Sequence, residues 1–295
     1  LEEETGNYYV SVKNFCSFLN FFRLKSKLDE IPENEHAVLD FSLCRFVDHT
    51  VMEGLNEYRR GFARKGGAFE IIGLDAHTAD TRHPFAIRKS LPTNDFFRIN
   101  NNLTKRQLSL QKLSTILGWD YRPEPSSDTK ELERFDFFKA KVINYQFNEI
   151  VNESNDFHLF DLSYSEGAFI SKDDIISSFL LINLKFDIPF FILDRENLLG
   201  GINENTVYKD LDFPKYPDFS RRFFLGGRRA GEIRSLFDSK LIFFFESHAY
   251  FRVESIGKSI LIKGKSRLSS IQEIKQLLAF STELMSIINN KYLDK

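Results

Sequence analysis

The chain has 295 residues, enough for two domains of ordinary size, and its 40 basic and 42 acidic residues nearly cancel. The formal net charge of −2 argues against a nucleic-acid-binding protein, because such proteins usually carry a strong basic excess. The two cysteines are too few for a disulfide framework, so we expect two reduced thiols in or near a core.

The chain starts at Leu rather than Met and shows no signal peptide, so we expect a piece excised from a longer protein. Strands and helices then alternate in the first 75 residues. Apolar periodicity predicts strands at 8–12, 37–43 and 69–74, and helices at 17–28 and 48–65. Gly66 and Gly67 end the second helix. This alternation predicts an α/β domain with a mostly parallel sheet, closed by a helix at 108–117.

Polar side chains follow the second and third predicted strands, where a parallel sheet usually binds its ligands. Asp48 and Thr50 are also plausible N-caps of the second helix, since a short side-chain oxygen accepts from the first backbone amides. The segment 78–89 adds Asp80, Arg82, His83 and Arg88. The candidate regulatory, anion or partner contacts are therefore Asp48, His49, Thr50, His77, Arg82, His83 and Arg88.

These residues leave alternatives open. Asp48 and Thr50 serve either as simple helix caps or as part of a regulatory surface on which Thr50 is phosphorylated. His49, His77 and His83, with Asp75 and Asp80, suggest zinc, but their spacing matches no established ligand motif. We therefore expect no metal and no cofactor. Arg82, Arg88 and Lys89 fit either an acidic partner or lipid head groups, or else a solvated surface.

A proline-rich polar stretch at 121–131 predicts a linker between a first domain at 1–120 and a second at 132–295. The second domain reads as α+β, with antiparallel strands and two long helices. Strands are predicted at 141–151, 157–162, 175–184, 189–193 and 223–225, with a hairpin at 250–254 and 259–263; helices are predicted at 232–245 and after Ser269. The stretch 175–184 also fits a helix. No apolar run in the sequence reaches the ~20 residues that a helix needs to cross a bilayer. We find no catalytic constellation, so no enzymatic activity is predicted.

Several segments of the first domain carry a family resemblance. They are Val10-Ser11-Val12-Lys13-Asn14, Phe18 with Asn20, Val38-Leu39-Asp40-Phe41-Ser42, Val47-Asp48-His49-Thr50, Gly66-Gly67, Gly73-Leu74-Asp75-Ala76-His77, and His83-Pro84-Phe85-Ala86 with Arg88. Over residues 8–90 the chain resembles the STAS domain of bacterial SulP-type (sulfate permease family) anion transporters. The second domain is similar to a C-terminal extension found in some of these proteins.

The resemblance implies a non-enzymatic regulatory or interaction region of a sulfate or bicarbonate type transporter, at the cytoplasmic face of the bacterial inner membrane. The implied partners are the transporter's own transmembrane domain, a homodimer mate or a soluble regulatory protein, and no nucleic acid. The alternative is a soluble phospho-switch similar to anti-sigma-factor antagonists, in which Thr50 matches the phosphorylated hydroxyl. His49, Val51 and Met52 depart from the small residues usual around that hydroxyl, which favours the transporter branch. A metal-dependent enzyme using His49, His77 and His83 is the third hypothesis.

Overall fold

A computed structural model describes residues 2–4, 7–90, 103–152, 154, 156–167, 173–195 and 208–293. The chain divides into two units. Unit 1 contains Leu1–Leu117 and Tyr121–Pro125, and unit 2 contains Gly118–Asp120 and Ser126–Lys295.

In its described residues, unit 1 combines one sheet with three α-helices. Its strands are β1 (Glu2–Glu4), β2 (Asn7–Cys16), β3 (His36–Val47), β4 (Ala68–Ile72), β5 (His77–Ala79) and β6 (Arg88–Ser90). Its helices are α1 (Phe18–Leu28), α2 (His49–Arg64) and α3 (Lys105–Leu117). Strand order is β1-β2-β3-β6-β5, with β4 paired to the other part of β3.

The predicted mostly parallel sheet of unit 1 is wrong. The pairs β2–β3 and β3–β4 are parallel, but β1–β2, β3–β6 and β5–β6 are antiparallel. The reason is the length of β3. Its first residues, from His36 to Asp40, pair with β4, which leaves Phe46 and Val47 to pair with β6. A mixed sheet results, because the chain returns to β3 from the opposite direction.

The unit 1 core lies where α2 packs on β3. Val51 and Leu55 of α2 and Leu39 and Phe41 of β3 are all fully buried. Each such side chain contributes about 1.5–3 kcal/mol when it leaves water. The helical spacing that predicts α2 from the sequence is therefore the spacing of its buried face.

Helix α1 packs on α2 through one side. Phe21 and Leu24 lie against the core and Leu28 is buried. Gly54 makes room for this contact, since a Cβ atom at Gly54 would lie 2.4 Å from Cε1 of Phe21. The opposite side of α1 is left outside the core.

The second sheet, seven of whose eight strands lie wholly in unit 2, is antiparallel and has the order β12-β11-β13-β14-β10-β9-β8-β7. The strands are β7 (Asp120–Arg122), β8 (Lys141–Val151), β9 (Phe157–Glu166), β10 (Asp173–Asn183), β11 (Phe191–Arg195), β12 (Phe223–Gly227), β13 (Arg252–Ile256) and β14 (Ser259–Lys263). The helices are α4 (Pro217–Arg222), α5 (Ala230–Leu236), α6 (Ser239–Ser247) and α7 (Ile271–Leu293).

Two features of unit 2 correct or decide the sequence predictions. The single helix predicted at 232–245 is wrong, because Asp238 interrupts it. Its carboxylate accepts from the backbone amide of Leu241 at 3.1 Å and so starts α6 as a separate helix. Residues 175–183 of the stretch 175–184 belong to strand β10. Both of its faces are buried, as Ser177 and Leu180 illustrate, which explains why it lacks a clear period of two.

Phenylalanine fills much of the unit 2 core. Phe160 of β9 pairs directly with Phe179 of β10, and their stacked rings have centroids 5.9 Å apart. Such cross-strand aromatic pairs stabilise a sheet beyond simple burial. Among the helices of the described residues, none combines the length and the apolar character that a membrane crossing requires.

Candidate functional site

Asp48 holds the starts of two helices. Its Oδ1 accepts from the backbone amide of Val51 at 2.8 Å, which caps α2. Its Oδ2 accepts from the backbone amide of Phe18 at 2.6 Å, at the first residue of α1. Both carboxylate oxygens are thus engaged by backbone donors, so Asp48 acts as a structural cap in this fold.

His49 and His83 lie together on the surface of unit 1. Their ring centroids are 5.6 Å apart, and Phe85 lies 5.5 Å from His83. Nδ1 of His49 is 2.8 Å from the carbonyl oxygen of Phe85, which fixes the ring. Thr50 is exposed in the first turn of α2. Its phosphorylation stays a prediction.

His77 is used inside the core. It is 1% exposed, and its ring nitrogens lie 3.1 Å and 2.6 Å from the carbonyl oxygens of Gly73 and Cys44. Burial lowers the pKa of His77 to about 4, against the opposing effect of the carbonyl oxygens of Cys44 and Gly73. Across the described residues, no group of three or more histidine, cysteine or acidic side chains is placed to hold a metal ion.

The two candidate arginines differ. Arg82 is exposed in the loop between β5 and β6. Arg88 is half-buried on β6, and its Nε and Nη1 atoms have no hydrogen-bond partner among the described residues. Burial lowers the pKa of Arg88, against the opposing effect of Asp75 and Asp80. A buried guanidinium with unpaired donors is costly, so Arg88 stands out among the predicted residues.

A surface that the sequence analysis missed lies on the outer side of α1. The α1 apolar face consists of three large side chains of α1 and one from the end of β2: Phe18 is 63% exposed, Leu19 78% and Phe22 80%, and Phe15 of β2 is 60% exposed. The apolar spacing of α1 predicts that Phe18, Phe21, Phe22 and Leu28 share one side of the helix. This prediction is wrong, because Phe18 and Phe22 are exposed whereas Leu28 is buried. Together the four side chains of the α1 apolar face expose on the order of 500 Å² of apolar surface, large for a single patch on a monomeric protein.

Cations border this face on both sides. Arg23 follows Leu19 by one helical turn, and Lys25 follows Phe22 by three residues. Helix α1 contains no carboxylate, and within the described part of the chain neither Arg23 nor Lys25 forms an ion pair. Lys27 differs, since its ammonium pairs with Glu30 at 2.7 Å.

The α1 apolar face is held rigidly. Asn20 accepts from the backbone amide of Ser17 at 2.8 Å and donates to the carbonyl oxygen of Phe15 at 2.6 Å. With the contact of Asp48 to Phe18, these bonds fix the turn that joins β2 to α1. The sequence signal for this surface was available: Phe and Leu beside Arg and Lys, without Asp or Glu, is typical of a helix that lies on a membrane.

Unit 2 contains a buried polar cluster around Phe137. Three cations lie over its ring: Lys141 at 4.5 Å from the centroid, and Arg252 and Lys263 each at 5.2 Å.

Glu254 accepts from the backbone amide of Phe137 at 3.1 Å. Burial raises the pKa of Glu254 to about 7 and lowers the pKa of Lys263 to about 8. Carboxylates accompany the cations, since Lys141 pairs with Glu166 and Arg252 with Asp194 and Glu254. Because Lys141 and Arg252 each have a carboxylate partner, we interpret the cluster as a structural ion-pair network.

Comparison with known proteins adds little. No family model matches the chain, and no curated protein matches it. A solved structure that is similar to part of the chain is the crystal structure of the mycobacterial trehalose monomycolate transport factor A, TtfA. It is 10% identical, with a TM-score of 0.44, over 63% of this chain and 96% of that chain. A similarity at this level supports no inference about fold or function.

The comparisons overturn the family identified from the sequence. The resemblance to a STAS domain of a SulP-type sulfate transporter is wrong, since no family model supports it and the sheet of unit 1 is mixed. The similarity lay mainly in hydrophobic patterning around capped helices. Such patterning reports on local structure, and many folds share it.

Proposed function

We propose that unit 1 is a non-catalytic docking module that attaches to the surface of a negatively charged membrane through the α1 apolar face. The observation that supports the proposal is the exposure of Phe18, Leu19 and Phe22 at 63–80%, beside two cations that form no ion pair with any described residue. A helix with this composition lies in the plane of a membrane interface.

The two components of this surface support each other energetically. The aromatic and aliphatic side chains gain about 25 cal/mol for each Å² that leaves water. Arg23 and Lys25 each add about 1 kcal/mol near an anionic lipid surface. Neither contribution gives firm attachment alone. The combination of an apolar wedge with cations is the pattern of reversible peripheral binding.

A second copy of the chain fits this surface less well. In a two-fold symmetric dimer the α1 apolar face would pair with itself. Arg23 and Lys25 of one copy would then lie close to the same cations of the other, which opposes association. An anionic lipid surface has the complementary charge, so we propose it as the binding partner of the α1 apolar face.

Flotation with lipid vesicles tests the proposal. We expect the chain to float with vesicles that contain phosphatidylglycerol, and to bind pure phosphatidylcholine vesicles far more weakly. Raising the salt concentration should release it, because screening weakens the contribution of the cations. Equal binding to both kinds of vesicle, or no binding to either, would contradict the proposal.

Variants locate the contact. Phe18→Ser combined with Phe22→Ser should weaken vesicle binding by about 30-fold or more, since two partly inserted rings are lost. Ile116→Ser is the matched control, because Ile116 of α3 is also 80% exposed but lies on another helix. That variant should bind like the parent chain. If the double variant abolishes self-association instead of vesicle binding, the surface pairs with a second copy.

A further inference from the structure

The unpaired donors of Arg88 point to a second feature of unit 1. Its Nε and Nη1 are buried without a hydrogen-bond partner among the described residues. A guanidinium stays charged under all ordinary conditions. The free-energy cost of burying its unpaired donors is therefore not removed by loss of a proton. Buried polar groups of this kind are usually satisfied by a water or an ion.

Arg88 lines a partly enclosed cavity of about 190 Å³. The described walls of the cavity come from α2, β4, β6, the start of α3 and the segments after β4 and before β6. Met52, Ile71 and Phe85 give it an apolar side, whereas Asn56, Arg88 and Lys105 give it a polar side. For comparison, an engineered apolar cavity of about 150 Å³ holds one benzene molecule. The space therefore suits a compact ligand of about one ring.

The positive and negative side chains that line the cavity do not cancel. Asp75 is already engaged: Nε of Arg106 lies 3.5 Å from its carboxylate, both side chains are buried, and the hydroxyl of Thr104 donates to it. This leaves Arg88 and Lys105 as cations at the wall. Lys105 forms no ion pair among the described residues, and burial together with nearby arginines lowers its pKa. The cavity is therefore positively charged.

We propose that this cavity binds a small organic anion, with a carboxylate or phosphate group against Arg88 and Lys105 and a compact apolar body against Met52, Ile71 and Phe85. Such a ligand places its anionic group beside the two cations of the wall and its apolar body on the apolar side of the cavity. The site is separate from the α1 apolar face, so failure of vesicle binding leaves it untouched.

Calorimetric titration and thermal denaturation of the full chain test the site with four defined probes. Benzoate and phenyl phosphate should bind with one site per chain and raise Tm. Benzyl alcohol, which has the ring without the charge, should bind at least about tenfold more weakly. Inorganic phosphate, which has the charge without the ring, should also bind more weakly. Equal binding of benzyl alcohol and benzoate, or of inorganic and phenyl phosphate, would overturn the proposal.

Arg88→Gln and Lys105→Gln should each weaken benzoate binding by about tenfold or more. Lys89→Gln is the control, since Lys89 is the exposed neighbour of Arg88 on the same strand. Arg88→Gln should also raise Tm in the absence of any anion, because it removes an unpaired buried charge. If Arg88→Gln does not fold, Lys105→Gln decides the matter. Unchanged benzoate binding by Lys105→Gln, or an equal loss in Lys89→Gln, would overturn the site.

Discussion

The carboxylate of Asp48 accepts a hydrogen bond from the backbone amide of Phe18, with 2.6 Å between Oδ2 and the nitrogen. The residue that caps α2 therefore also fixes the first residue of α1. This bond joins the sequence segment predicted to carry function to a surface that the sequence analysis missed. It holds the α1 apolar face in one orientation on the sheet.

Removing this double cap should weaken unit 1. Loss of a single N-cap costs about 1 kcal/mol, so Asp48→Ala should lower the free energy of unfolding by about 2 kcal/mol. Asp48→Asn keeps one acceptor oxygen, and we expect it to retain roughly half of that stabilisation. Urea denaturation of both variants measures the difference. Equal stability of the parent chain and Asp48→Ala would show that the two contacts do not matter.

Gly73 is required by the turn after β4. Its φ of 82° is unfavourable for other residues, and a Cβ atom there would lie 2.2 Å from the backbone nitrogen of Ser42. Gly73→Ala should therefore cost about 2–5 kcal/mol in the free energy of unfolding. Gly61→Ala is the control. Gly61 lies in α2 with nothing within 4 Å of an added Cβ, so that variant should gain about 0.5–1 kcal/mol. A Gly73→Ala chain as stable as the parent would rule out this role.

His77 makes the stability of unit 1 depend on pH. Its pKa falls from an ordinary value of 6.5 to about 4 in the folded chain, mainly because the ring is buried. As the pH drops below 6.5, His77 becomes protonated in the unfolded chain. In the folded chain it becomes protonated only near pH 4. The stabilisation is therefore complete above pH 6.5 and is lost towards pH 4, by up to about 3 kcal/mol.

NMR titration of the His77 ring checks this directly, and we expect a midpoint near pH 4. His77→Gln cannot take up the proton, so its urea midpoint should change less between pH 6.5 and 4 than that of the parent chain. A titration midpoint in the range of an exposed histidine, about 6.5, would refute the assignment.

The two thiols should be inert in the folded chain. Cys16 and Cys44 are each 1% exposed, and burial raises the pKa of Cys16 to about 12 and also raises that of Cys44. Because the thiolate is the reactive species, Ellman's reagent at pH 8 should react only after denaturant is added. Rapid reaction of either thiol with the folded chain would contradict the buried placement.

Local patterns predicted the elements of unit 1 better than their pairing. The apolar spacing of Val51 and Leu55 located α2, and Asp48 is a typical cap before such a helix. The antiparallel pairing of β6 with Phe46 and Val47 is possible because β3 extends beyond the residues that pair with β4. Strand length and pairing of this kind are decided by tertiary structure, and a short strand such as β6 has no distinctive pattern.

The same limit applies to the candidate surfaces. An apolar residue on an amphipathic helix looks alike in sequence whether it is buried, as Leu28 is, or exposed, as Phe22 is. The surroundings of Arg88 were equally hidden in the sequence, because the cavity places it near Lys105 from a separate segment. The basic composition of α1 was the one local signal that pointed to the exposed face.

A polarity-sensitive fluorophore on α1 tests the central claim most directly. Leu19→Cys places the label on the α1 apolar face, and Ile116→Cys places it on an equally apolar, exposed position of α3; both native thiols are buried. On adding vesicles that contain phosphatidylglycerol, we predict a blue shift of the label at residue 19 and none at residue 116. The absence of a shift at residue 19, or equal shifts at both positions, would contradict attachment through α1.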